Sequence, residues 1–465
     1  MSDAATATQG PARSAASWLA AAVALGALAG AGAAFGTGGL LVAGVIAALA
    51  AVYAVTAVYA RPERGLWLLL LAVPLDTAGR LITSPVTVTV YQVALLMMLA
   101  IWGLRWLADP DDAKPRWSAV DIGIATLLAA AVWSLPGSLA PSATIISIVR
   151  LAFLWLFFLL FVTWMRGEPS LRRVVAVVVA TSCAASMLAL LQAAIPGLGI
   201  GYTHTQMSAE GLIARPAAFF DDPNYLATML SVGILAAVGM AIASRRAAHV
   251  VAWLAASALM GAGLLVTLSR TGWLGVVAGL VPLVLTARPD RRRWLLAAGA
   301  AVVLAVMLVA PGAVLTRVGS IFDVTGDASV RTRVLMFESS TEIIADNWVF
   351  GTGLSGYEVA YPAYRLIGAR YDILKPHQLP LAMWAEMGVV GLIAELLIVG
   401  GVVWVLRHRR HRGWSPYEAI GVAGLVAMLV QSMFQYYLYF EYLWLFLAIV
   451  VASSRLSARS EEVPA

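Results

Sequence analysis

Long apolar stretches recur along the chain from Trp18 to the C-terminus and alternate with short polar connections. Most are about 16 to 22 residues long, which as helix is enough to cross a hydrocarbon layer of roughly 30 Å. Lipid offers no hydrogen-bond partners to a peptide backbone, so each stretch is predicted to be helical. Strict alternation of apolar and polar residues is absent, which argues against an outer-membrane barrel. The pattern therefore predicts an all-α, polytopic membrane protein.

The composition is also that of a membrane protein. Of 465 residues, 61% are hydrophobic and 12% are charged, and the mean hydropathy is +0.86. A soluble domain carries about twice that share of charge. The net charge of +6 comes from basic residues between the apolar stretches, with no continuous stripe that would indicate nucleic-acid binding. The single cysteine, Cys183, excludes a disulfide within one chain.

The basic residues predict the orientation of the spans. When alternate connections are assigned to opposite sides, 21 of the 31 lysine and arginine residues fall on one side. By the positive-inside rule that side is cytoplasmic, and both termini are predicted to lie there. Pro74 and Asp76 interrupt one stretch, so about 12 to 14 helices are expected. The candidate spans are 18–35, 38–59, 65–83, 86–107, 118–134, 143–165, 173–195, 224–243, 248–268, 272–287, 294–314, 379–406, 417–437 and 442–454.

Two long connections on the outer side are the candidates for function, because loops of such length are uncommon unless they bind or catalyse. The predicted segments are a cytoplasmic tail over 1–15, spans over 16–314 with an outer loop at 196–223, a large outer loop at 315–378, further spans over 379–454 and a cytoplasmic tail over 455–465. Ten basic residues are predicted on the outer side, although the positive-inside rule disfavours lysine and arginine there. They are Arg80, Arg150, Arg215, Arg270, Arg317, Arg331, Arg333, Arg365, Arg370 and Lys375.

The first candidate segment starts at Arg215 and enters the next span. A Pro-Asn pair ending at Asn224 marks a turn and a helix start, with Asp222 or Asn224 as the N-cap. A capped helix start beside a solvated arginine explains these residues as well as a binding site does. Asp221 and Asp222 are neighbouring carboxylates without further ligands, so no metal site is predicted.

The second candidate segment is the outer hairpin Leu268-Ser-Arg-Thr-Gly-Trp-Leu-Gly275. Arg270 is expected at the outer edge of the membrane, where a guanidinium can simply reach lipid headgroups. That role alone would not require the serine, threonine and glycine around it, which let a ligand approach the backbone closely. A planar and permanently charged guanidinium suits phosphate oxygens, so Arg270 is predicted to bind phosphate.

The third candidate segment runs from His377 to Gly391, where the long outer loop returns to the membrane. One continuous helix would place Glu386 roughly 13 Å below His377 and on the opposite face, so no direct pair is predicted. Histidine can exchange protons near neutral pH, although a single histidine is more often structural than catalytic. A carboxylate inside a span usually faces a cavity or a partner. Gly388 and Gly391 would allow close helix packing beside it.

The chain resembles the superfamily of O-antigen ligases and O-antigen polymerases, which are bacterial envelope glycosyltransferases. The resemblance lies in the order of these three segments and in their location on the same side of the membrane. The resemblance includes the stretch Asn-Trp-Val-Phe-Gly351-Thr-Gly353-Leu-Ser-Gly356, whose Gly-x-Gly turn precedes the third segment. It covers about residues 215–391, and the combination is more specific than any one motif. Gln378 stands where asparagine is usual in the family. The matching positions in the third segment are His377, Leu381, Glu386, Gly388 and Gly391.

The resemblance implies an inverting, metal-independent transfer of a glycan from undecaprenyl diphosphate to an acceptor hydroxyl. The reaction would take place at the periplasmic face of the bacterial inner membrane, with no cofactor, and the loop at 315–378 would be periplasmic. The implied partners are the lipid-linked donor, a glycan or lipid A-core acceptor, and membrane lipids. No nucleic acid is expected.

The resemblance also implies roles for individual residues. Arg215 and Arg270, with Arg331 or Arg333 as a third, would neutralise the charge that develops on the diphosphate leaving group. His377 would act as general base or would only orient a substrate. The supporting residues are Asn224, Gln378 and Glu386.

Three alternatives remain open at the level of sequence. A polymerase of surface polysaccharide is favoured slightly over a ligase acting on lipid A-core, because of Gln378 and the Phe-Phe-Asp-Asp-Pro-Asn stretch. A transporter or flippase of lipid-linked glycans would place ionisable residues near the bilayer midplane, where Glu395 is the main candidate. A scaffold protein would not need outer arginines beside glycine-rich turns.

Overall fold

A computed structural model describes residues 55–78, 80–82, 88–195, 197–208, 211–293, 328–369, 376–408 and 413–459. The predicted spans at 18–35 and 294–314, and most of the span at 38–59, lie outside the described residues. The N-terminal tail at 1–15 and the last six residues of the C-terminal tail also lie outside them. The same applies to Arg317, Arg370 and Lys375.

The described chain forms helices and two short antiparallel hairpins. A 3-10 turn over Leu135–Gly137 separates the fifth helix from the sixth. In chain order the elements are α1 Pro62–Ala72, α2 Leu75–Ala78, β1 Arg80–Ile82, β2 Val88–Thr89, α3 Val90–Ala108, α4 Pro110–Ala113, α5 Ala119–Trp133, α6 Pro141–Trp164, α7 Glu168–Ala194, β3 Tyr202–Ser208, β4 Gly211–Ala218, α8 Pro223–Ala243, α9 Ala247–Val266, α10 Arg270–Thr286, α11 Ala328–Asp346, α12 Tyr357–Tyr364, α13 Leu379–Arg407, α14 Pro416–Ser432 and α15 Glu441–Arg459.

Seven helices among the described residues are long and apolar enough to cross a membrane. They are α3, α5 with its following turn, α6, α7, α8, α9 and α13, and α10 and α14 are shorter apolar helices. The class of all-α membrane protein is therefore confirmed, while the total of 12 to 14 spans stays a prediction. The candidate span at 65–83 is wrong: α1 ends at Ala72, and Pro74 separates it from the short α2. Proline cannot donate the hydrogen bond that would continue the helix.

Helix α8 lies at the centre of the described bundle. It contacts α7, α9, α10 and α14, and 89% of its apolar window is buried, against 17% for α9. A helix that is apolar all round needs neighbours on every side, whereas α9 leaves most of its surface for lipid. Because Asn224 lies in the first turn of α8, this packing places that residue at the centre of one end of the bundle.

The connections at each end of the bundle contact one another. At one end, the Leu139 amide donates to the Thr352 carbonyl over 2.9 Å. At the opposite end, Arg105 and Arg166 both bind the Asp112 carboxylate. We call the first of these the outer end. It also holds the α9–α10 turn and the α14–α15 connection.

The outer loop at 196–223 contains a β-hairpin that the sequence did not predict. Strands β3 and β4 pair in antiparallel fashion, with His204 opposite Arg215. Threonines at alternate positions of β3 suit such a strand, but seven residues are too few to outweigh the helical pattern elsewhere. The hairpin leads Arg215 back towards the start of α8.

The described part of the long outer loop has a small core of its own. Helices α11 and α12 bury Met336, Ile343, Tyr357 and Tyr361 against Ala385 of α13. The Ser340 and Tyr357 hydroxyls are 2.9 Å apart within this core. Burial raises the pKa of the Tyr357 phenol well above its usual value, so the group stays neutral. The loop is thereby fixed to the outer half of α13.

Candidate active site

The first and second candidate segments meet at one amide side chain. The Asn224 Oδ1 atom accepts hydrogen bonds from Ser269 Oγ over 2.8 Å and from Arg215 Nη2 over 3.4 Å. Arg215 Nε also donates to the Thr267 carbonyl over 2.8 Å. The Arg215 guanidinium therefore lies against the α9–α10 turn, immediately before Arg270 in the chain.

Local backbone chemistry builds this junction. Asp222 is the N-cap of α8 and accepts from the Asn224 amide over 2.7 Å, as one of the two sequence candidates predicted. Ser269 is the N-cap of α10, so Arg270 occupies the first helical position. Leu268 precedes it with a φ of 56°, in the left-handed region that leucine rarely adopts. The hairpin predicted between the two spans is confirmed, and its tightness costs backbone strain.

A small cleft opens between α11 and the start of α13. It brings together Arg333, His377 and Gln378, which are three of the residues predicted for the site. The cleft therefore combines a permanent positive charge, a histidine and an amide. Its other lining residues are Met336, Phe337, Ser340, Pro376 and Leu381.

Of the two arginines proposed for the start of the long loop, the cleft contains Arg333. Arg331 is exposed, and its side chain lies beside Gly368. A β-carbon added to Gly368 would be 3.2 Å from the Arg331 Nη2 atom. Residues two positions apart on a helix point in nearly opposite directions. Arg331 and Arg333 therefore cannot both face the cleft from α11.

The connection between α14 and α15 contacts the cleft residues directly. The Arg333 guanidinium carbon lies 5.7 Å from the centre of the Phe434 ring. The neighbouring Gln435 is buried, and its Oε1 atom is 2.9 Å from His377 Nδ1. Phe434 and Gln435 thus hold the cation and the histidine in place.

The next two residues of the same connection reach the remaining candidate groups. The Tyr436 hydroxyl donates to Glu386 Oε2 over 3.0 Å. The Tyr437 hydroxyl donates to the Asn224 carbonyl over 3.4 Å and lies 2.6 Å from Thr228 Oγ1. We call residues 434–437 the linking segment, because its four consecutive side chains contact Arg333, His377, Glu386 and Asn224.

The linking segment was not predicted, because the candidate span at 417–437 runs through it. Helix α14 ends at Ser432, and α15 begins at Glu441. The signal available in the sequence was the run Gln435-Tyr-Tyr-Leu-Tyr-Phe440, in which polar and aromatic side chains follow one another between two spans. Non-helical backbone at membrane depth is tolerated where it is buried in protein or lines a cavity.

Helix α13 breaks at Gly388, which has a φ of 63° and a ψ of −162°. The Val389 amide donates to the Trp348 carbonyl, and the Thr352 amide donates to the Ala385 carbonyl, both over 2.9 Å. The Gly-x-Gly turn of the long loop therefore pairs with the backbone of the broken helix. The helix expected from His377 to Glu386 begins two residues later, at Leu379, and continues through Glu386 to the break at Gly388.

The arrangement offers positive charge, a proton acceptor and hydroxyl groups at one end of a membrane bundle. Glu386 is 1% exposed and receives the Tyr436 hydroxyl, which accounts for a carboxylate at this depth. Among the described residues, no three His, Cys, Asp or Glu side chains lie together as ligands for a metal ion. Asp222 is engaged as a helix cap, and Asp221 is exposed.

The fold and the site together define a multi-pass membrane protein with a polar, arginine-containing site at one end of its helices. Residues 255–396 match the family model described as O-antigen ligase. Over these residues the resemblance inferred from the sequence is confirmed. The match includes Arg270, Arg333, His377 and Glu386, and it ends before the linking segment. A comparison with curated proteins gives no match. The family supports a role in polysaccharide assembly.

Proposed function

We propose that this protein is a glycosyltransferase that acts at the periplasmic face of the bacterial inner membrane. It would transfer a glycan from undecaprenyl diphosphate to an acceptor hydroxyl, as a polymerase of surface polysaccharide. The observation that carries the proposal is the cleft that joins Arg333 to His377 and is tied by the linking segment to Arg215 and Asn224. The positive-inside rule supports the periplasmic location of the outer end.

A ligase that transfers the glycan to lipid A-core is the second candidate. The description of the matching family favours it, because that family is named for the ligase reaction. The donor and the bond that breaks are the same in both reactions. The two candidates differ only in the acceptor, so the site roles below apply to either.

The arginines would act on the leaving group. As the bond between the sugar C1 atom and the diphosphate oxygen breaks, negative charge develops on the diphosphate. Guanidinium groups fixed at the membrane edge stabilise that charge without reorganising during the reaction. We assign this role to Arg333 in the cleft and to Arg215 and Arg270 at the α9–α10 turn.

His377 would accept the proton of the acceptor hydroxyl. The carbonyl oxygen of Gln435 faces Nδ1 over 2.9 Å, which favours the tautomer with the proton on Nδ1. In that tautomer Nε2 carries the lone pair. The acceptor oxygen would bond to C1 on the face opposite the departing diphosphate, so the configuration at C1 is inverted. The proton would move from the acceptor to Nε2.

The test uses purified full-length protein in lipid nanodiscs with an undecaprenyl-diphosphate glycan as donor. Release of undecaprenyl diphosphate and growth of the glycan are measured for the wild type and for His377→Ala. We expect the substitution to reduce turnover by about 10²- to 10⁴-fold, which is the usual contribution of a general base.

His408→Ala is the matched control, because His408 is exposed beyond the opposite end of α13 and stacks on Trp404. It should keep wild-type turnover. Normal turnover of His377→Ala would remove His377 from the reaction. Movement of glycan across a liposome membrane with no bond broken would mean transport, and the enzyme proposal would fall.

A further inference from the structure

A second polar group lies at the outer end, formed by residues that the proposed reaction does not use. Arg150 of α6 has its Nη2 atom 3.9 Å from Asp76 Oδ2, and its guanidinium carbon lies 4.7 Å from the centre of the Tyr439 ring. Asp76 Oδ1 accepts from Thr89 Oγ1 over 2.8 Å. Glu441 begins α15 and interacts electrostatically with both Asp76 and Arg150. We call these residues, together with Tyr91, the Arg150 cluster.

Arg150 lies deep along α6 but remains accessible. It lies nine residues into α6, which is roughly 13 Å along the helix axis. Half of its side-chain surface is nevertheless exposed. A charged side chain at this depth is costly unless it faces water or polar partners. Non-helical backbone from the α14–α15 connection reaches the same level, as the contact with Tyr439 shows.

Tyr91 supplies a buried polar group directed at this cluster. The residue is 5% exposed, and its hydroxyl has no hydrogen-bond partner among the described residues. The same hydroxyl interacts electrostatically with Glu441, Asp76 and Arg150. Folded proteins rarely leave a buried hydroxyl unsatisfied, because its desolvation is then uncompensated. A bound molecule with its own donors and acceptors would satisfy it.

The charges of the cluster indicate which molecule fits. The one guanidinium of the cluster is already close to the Asp76 carboxylate, so the cluster offers no excess positive charge to a diphosphate or an acidic sugar. Carboxylates accept hydrogen bonds from sugar hydroxyls, and the Tyr91 hydroxyl and the Arg150 guanidinium can donate to sugar oxygens. This combination suits a neutral sugar or an amino sugar.

The cluster also lies close to the reaction site. Gln435, which contacts His377, and Tyr439, which contacts Arg150, are four residues apart in one connection. An extended chain of that length spans at most about 14 Å. One oligosaccharide can therefore reach both places.

We propose that the Arg150 cluster is a subsite for a neutral or amino sugar of the glycan, at a distance from the bond that is made or broken. This proposal rests on the proposed function. Its occupant would set how the glycan lies relative to His377, while the arginines of the cleft bind the diphosphate. The two groups would therefore make separable contributions to binding.

The experiment compares Tyr91→Phe with the wild type, because this change removes one hydroxyl and leaves the ring that packs on Phe157. The KM for the lipid-linked glycan should rise about three- to tenfold with little change in kcat, as expected for one lost hydrogen bond. Glu441→Gln is the second variant and should raise KM in the same way. Tyr59→Phe is the control, since Tyr59 lies beside Arg105 at the opposite end.

A binding measurement separates this proposal from the proposed function. The probe is the free oligosaccharide released by mild acid from the host's own lipid-linked pool, and its binding to purified protein is followed by saturation-transfer NMR. Binding that weakens in Tyr91→Phe and persists in Arg270→Lys would support the subsite even if no transfer were detected. Binding and KM that are unchanged in both Tyr91→Phe and Glu441→Gln would overturn it.

Discussion

Replacement of Gly388 by alanine tests whether the break in α13 organises the candidate active site. The glycine has a φ of 63° and a ψ of −162°, a combination that is essentially restricted to glycine. A β-carbon at this position would also overlap the carbonyl oxygen of Val349. The long loop would then have to move away from α13, and Glu386 lies two residues before the break.

The size of the effect follows from two contributions. Holding alanine in this backbone conformation costs about 1–3 kcal/mol. Displacing the loop would break the bond from the Val389 amide to the Trp348 carbonyl and the bond from the Thr352 amide to the Ala385 carbonyl. Each is worth about 0.5–1.5 kcal/mol. The free energy of unfolding should therefore fall by about 2–6 kcal/mol.

The assay is thermal unfolding of the purified protein in detergent, followed by turnover of the lipid-linked donor. Gly400→Ala is the matched control, because it makes the same change in the same helix and its β-carbon would meet no atom within 4 Å. Glycine inside a helix is less favourable than alanine by about 1 kcal/mol, so this control should stabilise the protein or leave it unchanged. If Gly388→Ala melted at the same temperature as Gly400→Ala and kept full turnover, the assigned role of the break would be refuted.

Four further predictions concern charge and proton transfer. Gln435→Leu should lower kcat about tenfold with KM little changed. Gln435→Glu should move the acidic limb of the pH–rate profile to higher pH, because a carboxylate stabilises a protonated His377. Unchanged profiles in both variants would contradict a role for the contact between Gln435 and His377. Arg270→Lys should lose most activity while the protein still folds, since an ammonium cannot reproduce a bidentate clamp, and near-normal turnover would remove Arg270 from the phosphate site. Burial of Asp112 opposes its ionisation, but hydrogen bonds from two arginines outweigh that effect and hold the pKa of Asp112 below its usual value. The stabilisation is therefore present above the unfolded-state pKa of about 4 and is lost as pH falls through the lower folded pKa. Asp112→Asn should lower the melting temperature at pH 7, and the gap to wild type should narrow as the pH falls below about 4. A gap independent of pH would contradict this. A chelator should leave turnover intact, whereas a strict need for a divalent cation would reopen Asp221 as a ligand.

The sequence predicted those parts of the site that depend on local chemistry. Asp222 caps α8 because a carboxylate before a Pro-Asn pair satisfies a free amide of the first turn. The α9–α10 turn was predictable because two apolar stretches meet there with only a few polar residues between them. His377 and Arg333 were predicted from their place in the outer loop and from the resemblance to the family, and both line the same cleft.

The parts that could not be predicted depend on contacts between distant segments. The residues near Gly388 in the chain do not predict that the loop at 348–352 pairs with the helix backbone there. A glycine in this position also fits ordinary close packing of helices, because glycines are common in spans that pack closely. Gln435 lies 58 positions from His377, and an apolar window does not distinguish the end of α14 from its continuation. The candidate span at 65–83 failed where the sequence had marked it as interrupted, at Pro74.

Among the described residues, three that are not glycine have a left-handed backbone, and all three lie at the outer end. Ala218 ends β4, Leu268 precedes α10, and Ser355 lies in the glycine-rich turn, with φ values of 50°, 56° and 68°. Such conformations persist only where the surrounding contacts determine them. Each lies in a connection that carries or supports a candidate group, and none lies inside a span. The arginines, the histidine and their supports are therefore positioned by strained, hydrogen-bonded connections on a rigid helical bundle, which is the arrangement that electrostatic stabilisation of a leaving diphosphate requires.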